Sequence, residues 1–78
     1  MAQSVRMYTT PWCGYCVSTK RYLDSKGVAY DEIDIDQHPE FGERIERATG
    51  GHRTVPTLEI DGRILVNPSR RELDEVLN

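Results

Sequence analysis

Two four-residue runs, Thr57–Ile60 and Arg63–Val66, flank the dipeptide Asp61-Gly62. Asp-Gly accepts positive φ at both central positions of a tight turn, so these runs read as an antiparallel hairpin. Upstream, Val5–Tyr8 and Val28–Ile35 also read as strands, but a helical stretch from about Cys13 to Lys26 separates them. A helix-length connection carries the chain back over the sheet and makes the strands it joins parallel. Within 78 residues there is room for one core, so both pairings belong to one sheet. The expected fold class is α/β, ordered β-α-β-α-β-β-α, with a four-stranded mixed sheet and helices on both faces. One domain is expected over residues 1–78.

Boundaries follow from local chemistry. Gly27 supplies a left-handed stop for the first helix, in which Cys16, Thr19, Tyr22 and Leu23 fall at helical spacing. Asp36 or His38 caps a second helix with Pro39 in its first turn. Phe41, Ile45 and Ala48 give that helix one apolar stripe, and Gly50-Gly51 ends it. Asn67-Pro68-Ser69 opens a last helix. Ser69 and Glu72 fit a capping box there, and Leu73, Val76 and Leu77 form the buried face.

Hydrophobic residues make up 37% of the chain and charged residues 29%, the balance of an ordinary globule. The net charge is −3, with acidic residues gathered at Asp31, Glu32, Asp34 and Asp36, which gives no electrostatic reason for nucleic-acid binding. Apolar stretches are too short for a membrane span. Met1-Ala2-Gln3-Ser4 lacks the basic flank and apolar core of a signal peptide, so a cytoplasmic location is expected. In that compartment a paired-cysteine motif is more often catalytic than structural. Basic residues fall near the motifs, at Lys20, Arg21, His52 and Arg53; each also reads as a solvated surface charge.

Both cysteines lie in Cys13-Gly14-Tyr15-Cys16, after a strand and at an expected helix start. As a staple, so small a ring is worth only about 2 kcal/mol in the chain-entropy model, so the spacing suits exchange better than reinforcement. Thiol–disulfide exchange needs a thiolate that attacks and later departs. Cys13, at the helix N-terminus, meets unpaired N–H groups and the positive dipole end, which favour its anion. Cys16 is one turn further in and less exposed. Cys13 is therefore assigned as nucleophile and Cys16 as resolving thiol. A more acidic thiol gains anion but loses intrinsic nucleophilicity by a similar factor, so its larger benefit is as a leaving group.

Trp12 either shields this site or covers the edge of the core. Gly14 permits close backbone approach, and Tyr15 offers an aromatic wall; both also read as ordinary turn and surface residues. Thr54-Val55-Pro56-Thr57 is a second constellation. Only about 5–6% of X–Pro bonds are cis, so on its own Pro56 reads as a trans turn proline. A cis bond beside the cysteines would instead hold the Val55 backbone outward for an extended substrate. A Cys2His2 zinc site is disfavoured, because His38 and His52 are not at the three-to-five spacing of zinc ligands.

Taken together, Tyr8-Thr9, Cys13-Gly14-Tyr15-Cys16, Lys20, Thr54-Val55-Pro56 and the Asp61-Gly62 hairpin resemble the glutaredoxin branch of the thioredoxin superfamily over nearly the whole chain. The resemblance implies a thioredoxin-like fold, a cis Val55-Pro56 bond and reduction of disulfides or thiol mixed disulfides. It also implies substrate contacts from Trp12, Tyr15, Thr54, Val55 and Pro56, no bound cofactor and no metal. Glutathione-binding members usually carry a lysine where Thr10 stands and a Gly-Gly-x-Asp-like segment where Val66-Asn67-Pro68-Ser69 stands. Trp12 through Cys16, Gly50 through Pro56 and Asn67-Pro68-Ser69 are most similar to the actinobacterial mycoredoxins, which implies mycothiol as cosubstrate, with glutathione the lesser expectation. The implied partners are protein mixed disulfides, a low-molecular-weight thiol and its NADPH-dependent reductase, with no nucleic acid and no membrane, and a monomeric chain. Two alternatives are a redoxin donating electrons to ribonucleotide reductase, recharged by thioredoxin reductase, and an iron–sulfur cluster carrier. The first lacks its characteristic Phe-x-Pro segment here; Gly14 is compatible with the second.

Overall fold

The computed structural model describes residues 3–77. In chain order these form β1 (Val5–Thr9), α1 (Gly14–Ser25), β2 (Asp31–Asp34), α2 (Pro39–Thr49), β3 (Thr57–Ile60), β4 (Arg63–Val66) and α3 (Arg70–Val76). The sheet order is β2-β1-β3-β4. β1 runs parallel to β2, with Tyr8 opposite Ile33, and antiparallel to β3, with Met7 opposite Leu58. Asp61 and Gly62 take φ of 49° and 85°, so the hairpin closes through the mirror-image turn that matches strand twist.

Strand alternation sorts β1 onto two cores. Val5 and Met7 face one cluster with Leu58 and Ile60, where α1 contributes Cys16 and Leu23 and α3 contributes Leu73. Tyr8 faces the other, with Ile35, Ile45 of α2 and the half-buried Phe41. Helices therefore cover both faces of the mixed sheet. Each fully buried Leu, Ile or Met contributes about 1.5–3 kcal/mol relative to exposure. Across the α2 face, Arg44 donates twice to the Glu59 carboxylate at 3.1 and 2.9 Å, and the Tyr8 hydroxyl donates to it at 3.0 Å.

Three local features differ from the sequence expectation. β2 begins at Asp31, because Val28 completes the end of α1: its N–H reaches Leu23 O at 3.0 Å while Gly27 N–H reaches Asp24 O at 3.1 Å. This paired closure, with Gly27 left-handed, ties Val28 to the helix and onto the first core instead of to the sheet. β1 runs one residue longer, to Thr9, which pairs with Asp34. On α2, Ala48 is exposed, and the inward stripe is half-buried Phe41 with Gly42, Ile45 and half-buried Thr49. Thr49 is held there by its hydroxyl, which lies 2.8 Å from both the Ile45 and His52 carbonyl oxygens, with its one proton to share between them, and accepts the His52 N–H at 3.2 Å. His38 caps α2 by backbone conformation without a side-chain bond, with Pro39 in the first turn, and left-handed Gly50 closes it. Ser69 and Glu72 form the expected capping box of α3.

Candidate active site

The strand β1 delivers the chain into a tight turn, in which Cys13 N–H reaches Thr10 O at 3.3 Å and Pro11 supplies the fixed φ of the bend. Cys13 then acts as the N-cap of α1, with extended backbone at φ −93° and ψ 108°. Its sulfur takes the place of a capping oxygen and accepts the Cys16 N–H at 3.1 Å. The two cysteines are joined as a disulfide with Cα atoms 5.2 Å apart. Cys16 is 1% exposed and Cys13 8%, so of the two sulfurs the one nearer solvent is the one on the helix terminus.

The flanking residues divide. Trp12 and Tyr15 are 76% and 72% exposed, which places both rings in solvent and excludes Trp12 as a cover for the core edge. At Gly14 a Cβ would meet nothing within 4 Å, so the fold itself leaves that position open. The Val55-Pro56 bond is cis. Pro56 is buried, and Val55 packs against both hydrophobic clusters, including the one that holds the cysteines. The Thr54 carbonyl accepts the Thr57 hydroxyl at 2.6 Å. By contrast, the Val55 backbone makes no hydrogen bond among the described residues, which leaves its N–H and C=O for a ligand.

Three interactions around the site have no linear signature. Lys20 sits one turn beyond Cys16 on the same face of α1 and pairs with Glu32 at 3.0 Å; Thr9 donates to the same carboxylate at 3.2 Å. These side chains, with Thr10 and Asp34, wall a cleft of about 270 Å³ beside the disulfide. Thr10 is 7% exposed, and its hydroxyl oxygen is buried without a partner. Asn67 N–H donates to Pro56 O at 2.8 Å and ties the corner before α3 to the proline loop. The i,i+4 spacing of Cys16 and Lys20 is the one sequence signal for any of this; the partners come from strand register. Arg53, near the proline loop, is anchored on α2 by Glu46 and lies over Gly42, where a Cβ would come within 3.1 Å of its Nη1. A side chain at this position would have to displace the Arg53 side chain by a few tenths of an ångström. Arg21 and His52 are exposed.

A groove of about 530 Å³ beside Phe41, Arg44 and Ile64 exceeds the cleft beside the disulfide yet touches neither cysteine, so volume does not locate the chemistry. Among the described residues no three His, Cys, Asp or Glu side chains gather as a metal site, and no helix is long and apolar enough to cross a membrane.

What the arrangement can do is exchange a disulfide at one reachable sulfur beside an unpaired stretch of backbone. Known proteins similar in sequence and fold point the same way. The Glutaredoxin family model matches residues 5–65. A Mycobacterium tuberculosis protein assigned to the glutaredoxins is 44% identical over 71 residues, spanning 90% of this chain and 84% of that one. Mycoredoxin 1 of Corynebacterium glutamicum is 42% identical over 71 residues, spanning 90% and 87%. The solved thioredoxin-like protein BC3987 superposes with a TM-score of 0.83 at 28% identity, over 95% of this chain and all of that one. The architecture is thus the thioredoxin-like one of glutaredoxins, whose members act on protein disulfides with a low-molecular-weight thiol. A family model covering most of the residues, relatives above 40% identity and the paired cysteines on α1 lead to one conclusion: the chain belongs to the glutaredoxin family and is a thiol–disulfide oxidoreductase.

Proposed function

We propose that the chain reduces protein–mycothiol mixed disulfides, with Cys13 as nucleophile and Cys16 as resolving thiol. The observation that carries the assignment of roles is the asymmetry of the pair: Cys13 caps α1 and is 8% exposed, whereas Cys16 is 1% exposed behind it. The Cys13 thiolate attacks the mycothiol sulfur of the mixed disulfide. One S–S bond forms as the other breaks, and the protein sulfur leaves and takes up a proton. A second mycothiol thiolate then attacks the adduct, releasing Cys13 as thiolate and mycothiol disulfide, which an NADPH-dependent reductase returns to two thiols. Alternatively Cys16 attacks Cys13, expels mycothiol and closes the internal disulfide, which two further mycothiols reopen.

Support for mycothiol over glutathione comes from the 42% identity to mycoredoxin 1 and from Thr10. At 7% exposure Thr10 offers neither a cation nor a surface perch for one, where a glutathione carboxylate would need a charged partner. Trp12 and Tyr15 wall the bound thiol, Thr54 and Val55 present backbone, and Pro56 holds that backbone in place. The protein works as a cytoplasmic monomer on thiol-adducted proteins, without nucleic acid, membrane, bound cofactor or metal. The test is NADPH consumption with mycothiol and its reductase, glutathione and its reductase, and thioredoxin reductase, at matched concentrations. Mycothiol should support turnover at least about a hundredfold better than glutathione, the effect of losing two charge-assisted contacts. Equal turnover with glutathione, or faster turnover with thioredoxin reductase, overturns the proposal.

A further inference from the structure

Acidic residues gather at Asp31, Glu32, Asp34 and Asp36, on and just after β2, which is an edge strand of the sheet. Sulfur exchange by itself has no use for that charge. The fold nevertheless brings two of these carboxylates to the sulfurs, because Cys13, Cys16, Glu32 and Asp34 all line the cleft of about 270 Å³. Its walls carry one cation, Lys20, which is spent on Glu32 at 3.0 Å. Asp34 pairs with no cation among the described residues, and its carboxylate accepts the Asp36 N–H at 2.8 Å. One negative charge on the walls is therefore uncompensated.

A second, independent group calls for an occupant. Thr10, 7% exposed, lines the same cleft, and its buried hydroxyl oxygen has no hydrogen-bond partner among the described residues. Beside these polar groups, Pro11 and Val17 supply apolar wall, and Val17 is 45% exposed. An apolar wall with an unbalanced carboxylate fits a flexible apolar stem that ends in a cation, the chemistry of lysine and arginine. None of Trp12, Tyr15, Thr54, Val55 and Pro56, the residues assigned above to the bound thiol, lines this cleft.

We propose that the cleft is a client subsite, which takes a lysine or arginine side chain lying next to the reacting cysteine of the disulfide substrate. Asp34 accepts from the cation, Thr10 offers its spare oxygen, and Pro11 and Val17 cover the stem. The surrounding acids of the β2 edge draw a basic segment towards the site. Lys20 works against recognition by neutralising Glu32, and so limits the preference. The contact belongs to the client and not to the thiol it carries, so it does not depend on which low-molecular-weight thiol recharges the protein.

The test mixes the pre-reduced protein with cysteine peptides in mixed disulfide with 2-mercaptoethanol, an uncharged thiol, and follows loss of the mixed disulfide. Lysine, norleucine or glutamate occupies both positions flanking the cysteine. Each rate is divided by that of the same peptide with dithiothreitol, which removes the direct effect of charge on the disulfide. The wild type should favour lysine over norleucine about fivefold, as for a partly shielded ion pair, and glutamate should be slowest. In Asp34→Asn the lysine preference should fall below about twofold; asparagine keeps an oxygen for the Asp36 N–H, so the fold is retained. Lys20→Met, which frees the Glu32 carboxylate, should raise the preference above wild type. Glu43→Gln removes an equal charge on α2, across the sheet from α1, and should leave the preference unchanged. Equal wild-type rates for lysine and norleucine overturn the subsite, as does a lysine preference that survives in Asp34→Asn. A preference for glutamate overturns it in favour of Lys20 as the recognising group. An equal fall in Glu43→Gln and Asp34→Asn assigns the effect to net charge, and overturns the subsite as well.

Discussion

The Cys16 backbone N–H donates to the Cys13 sulfur at 3.1 Å, so the residue that closes the disulfide also supplies, through its main chain, the donor that caps its partner. The donor belongs to the backbone and survives substitution of the Cys16 side chain. Cys16→Ser should therefore retain turnover on thiol-adducted peptides by the one-cysteine route, whereas Cys13→Ser should lose it by at least about a thousandfold, since the thiol that remains, Cys16, is buried at 1% exposure. Initial rates of peptide-thiol release check both; equal loss in the two variants would show that the internal disulfide is obligatory.

The same geometry separates the reduced thiols. With the helix terminus and an amide directed at its sulfur, Cys13 should react with iodoacetamide near neutral pH well before the buried Cys16. Mass spectrometry of partly alkylated, reduced protein measures the order. Comparable labelling of both cysteines would contradict it.

Thr10 carries a buried hydroxyl that bonds to nothing among the described residues. Removing an unsatisfied buried polar atom while keeping shape relieves its desolvation cost, so Thr10→Val should stabilise the fold by about 1 kcal/mol. For a domain of this size that is a rise in Tm of roughly 4–8 °C. A lower Tm would mean the hydroxyl is satisfied by water in solution.

Glu59 should set part of the acid limit. Hydrogen bonding by Arg44, with a smaller contribution from Tyr8, holds its carboxyl below the usual carboxylate range. A carboxyl more acidic in the folded chain binds its proton more readily when unfolded. It thus adds stability above the unfolded value of about 4.3 and loses it as pH falls through the lower folded value. Glu59→Gln should cost about 1–3 kcal/mol near neutral pH and flatten the decline on the acid side of about pH 5. Urea midpoints in neutral and acid buffer test this; an unchanged decline in the variant would remove Glu59 from the account.

Much of the fold is legible in the sequence because its signals are local. Asp61-Gly62 fixes a two-residue turn, Ser69 and Glu72 cap a helix within one turn, and Gly27 stops α1 where left-handed backbone is needed. The β2 boundary is misplaced by the pattern because Val28 has a second use, as the hydrophobic end of the α1 stop, and apolar character alone does not say which element claims it. Ala48 is misplaced because a stripe drawn by spacing ignores the hydrogen bonds that hold Thr49 inward. At the site, the cysteines and the Val55-Pro56 segment are legible as motifs. The Lys20–Glu32–Thr9 cluster, the Asn67–Pro56 tie and the Arg53–Gly42 contact are not, because each joins segments that only the completed topology brings together.

Val55 touches the cores on both sides of the sheet, so the loop proposed to offer its backbone to substrate is tied to both layers. Proteins commonly place binding loops among their least stable regions, where they open without disturbing the rest. Here such local opening would detach a half-buried side chain shared by two layers, which adds to its cost. The expected consequence is recognition by preformed shape more than by closure around the ligand. A further corollary concerns inheritance: substitutions deep in either layer, far from any sulfur, register at the catalytic loop, and activity and heat resistance should decline together across random variants.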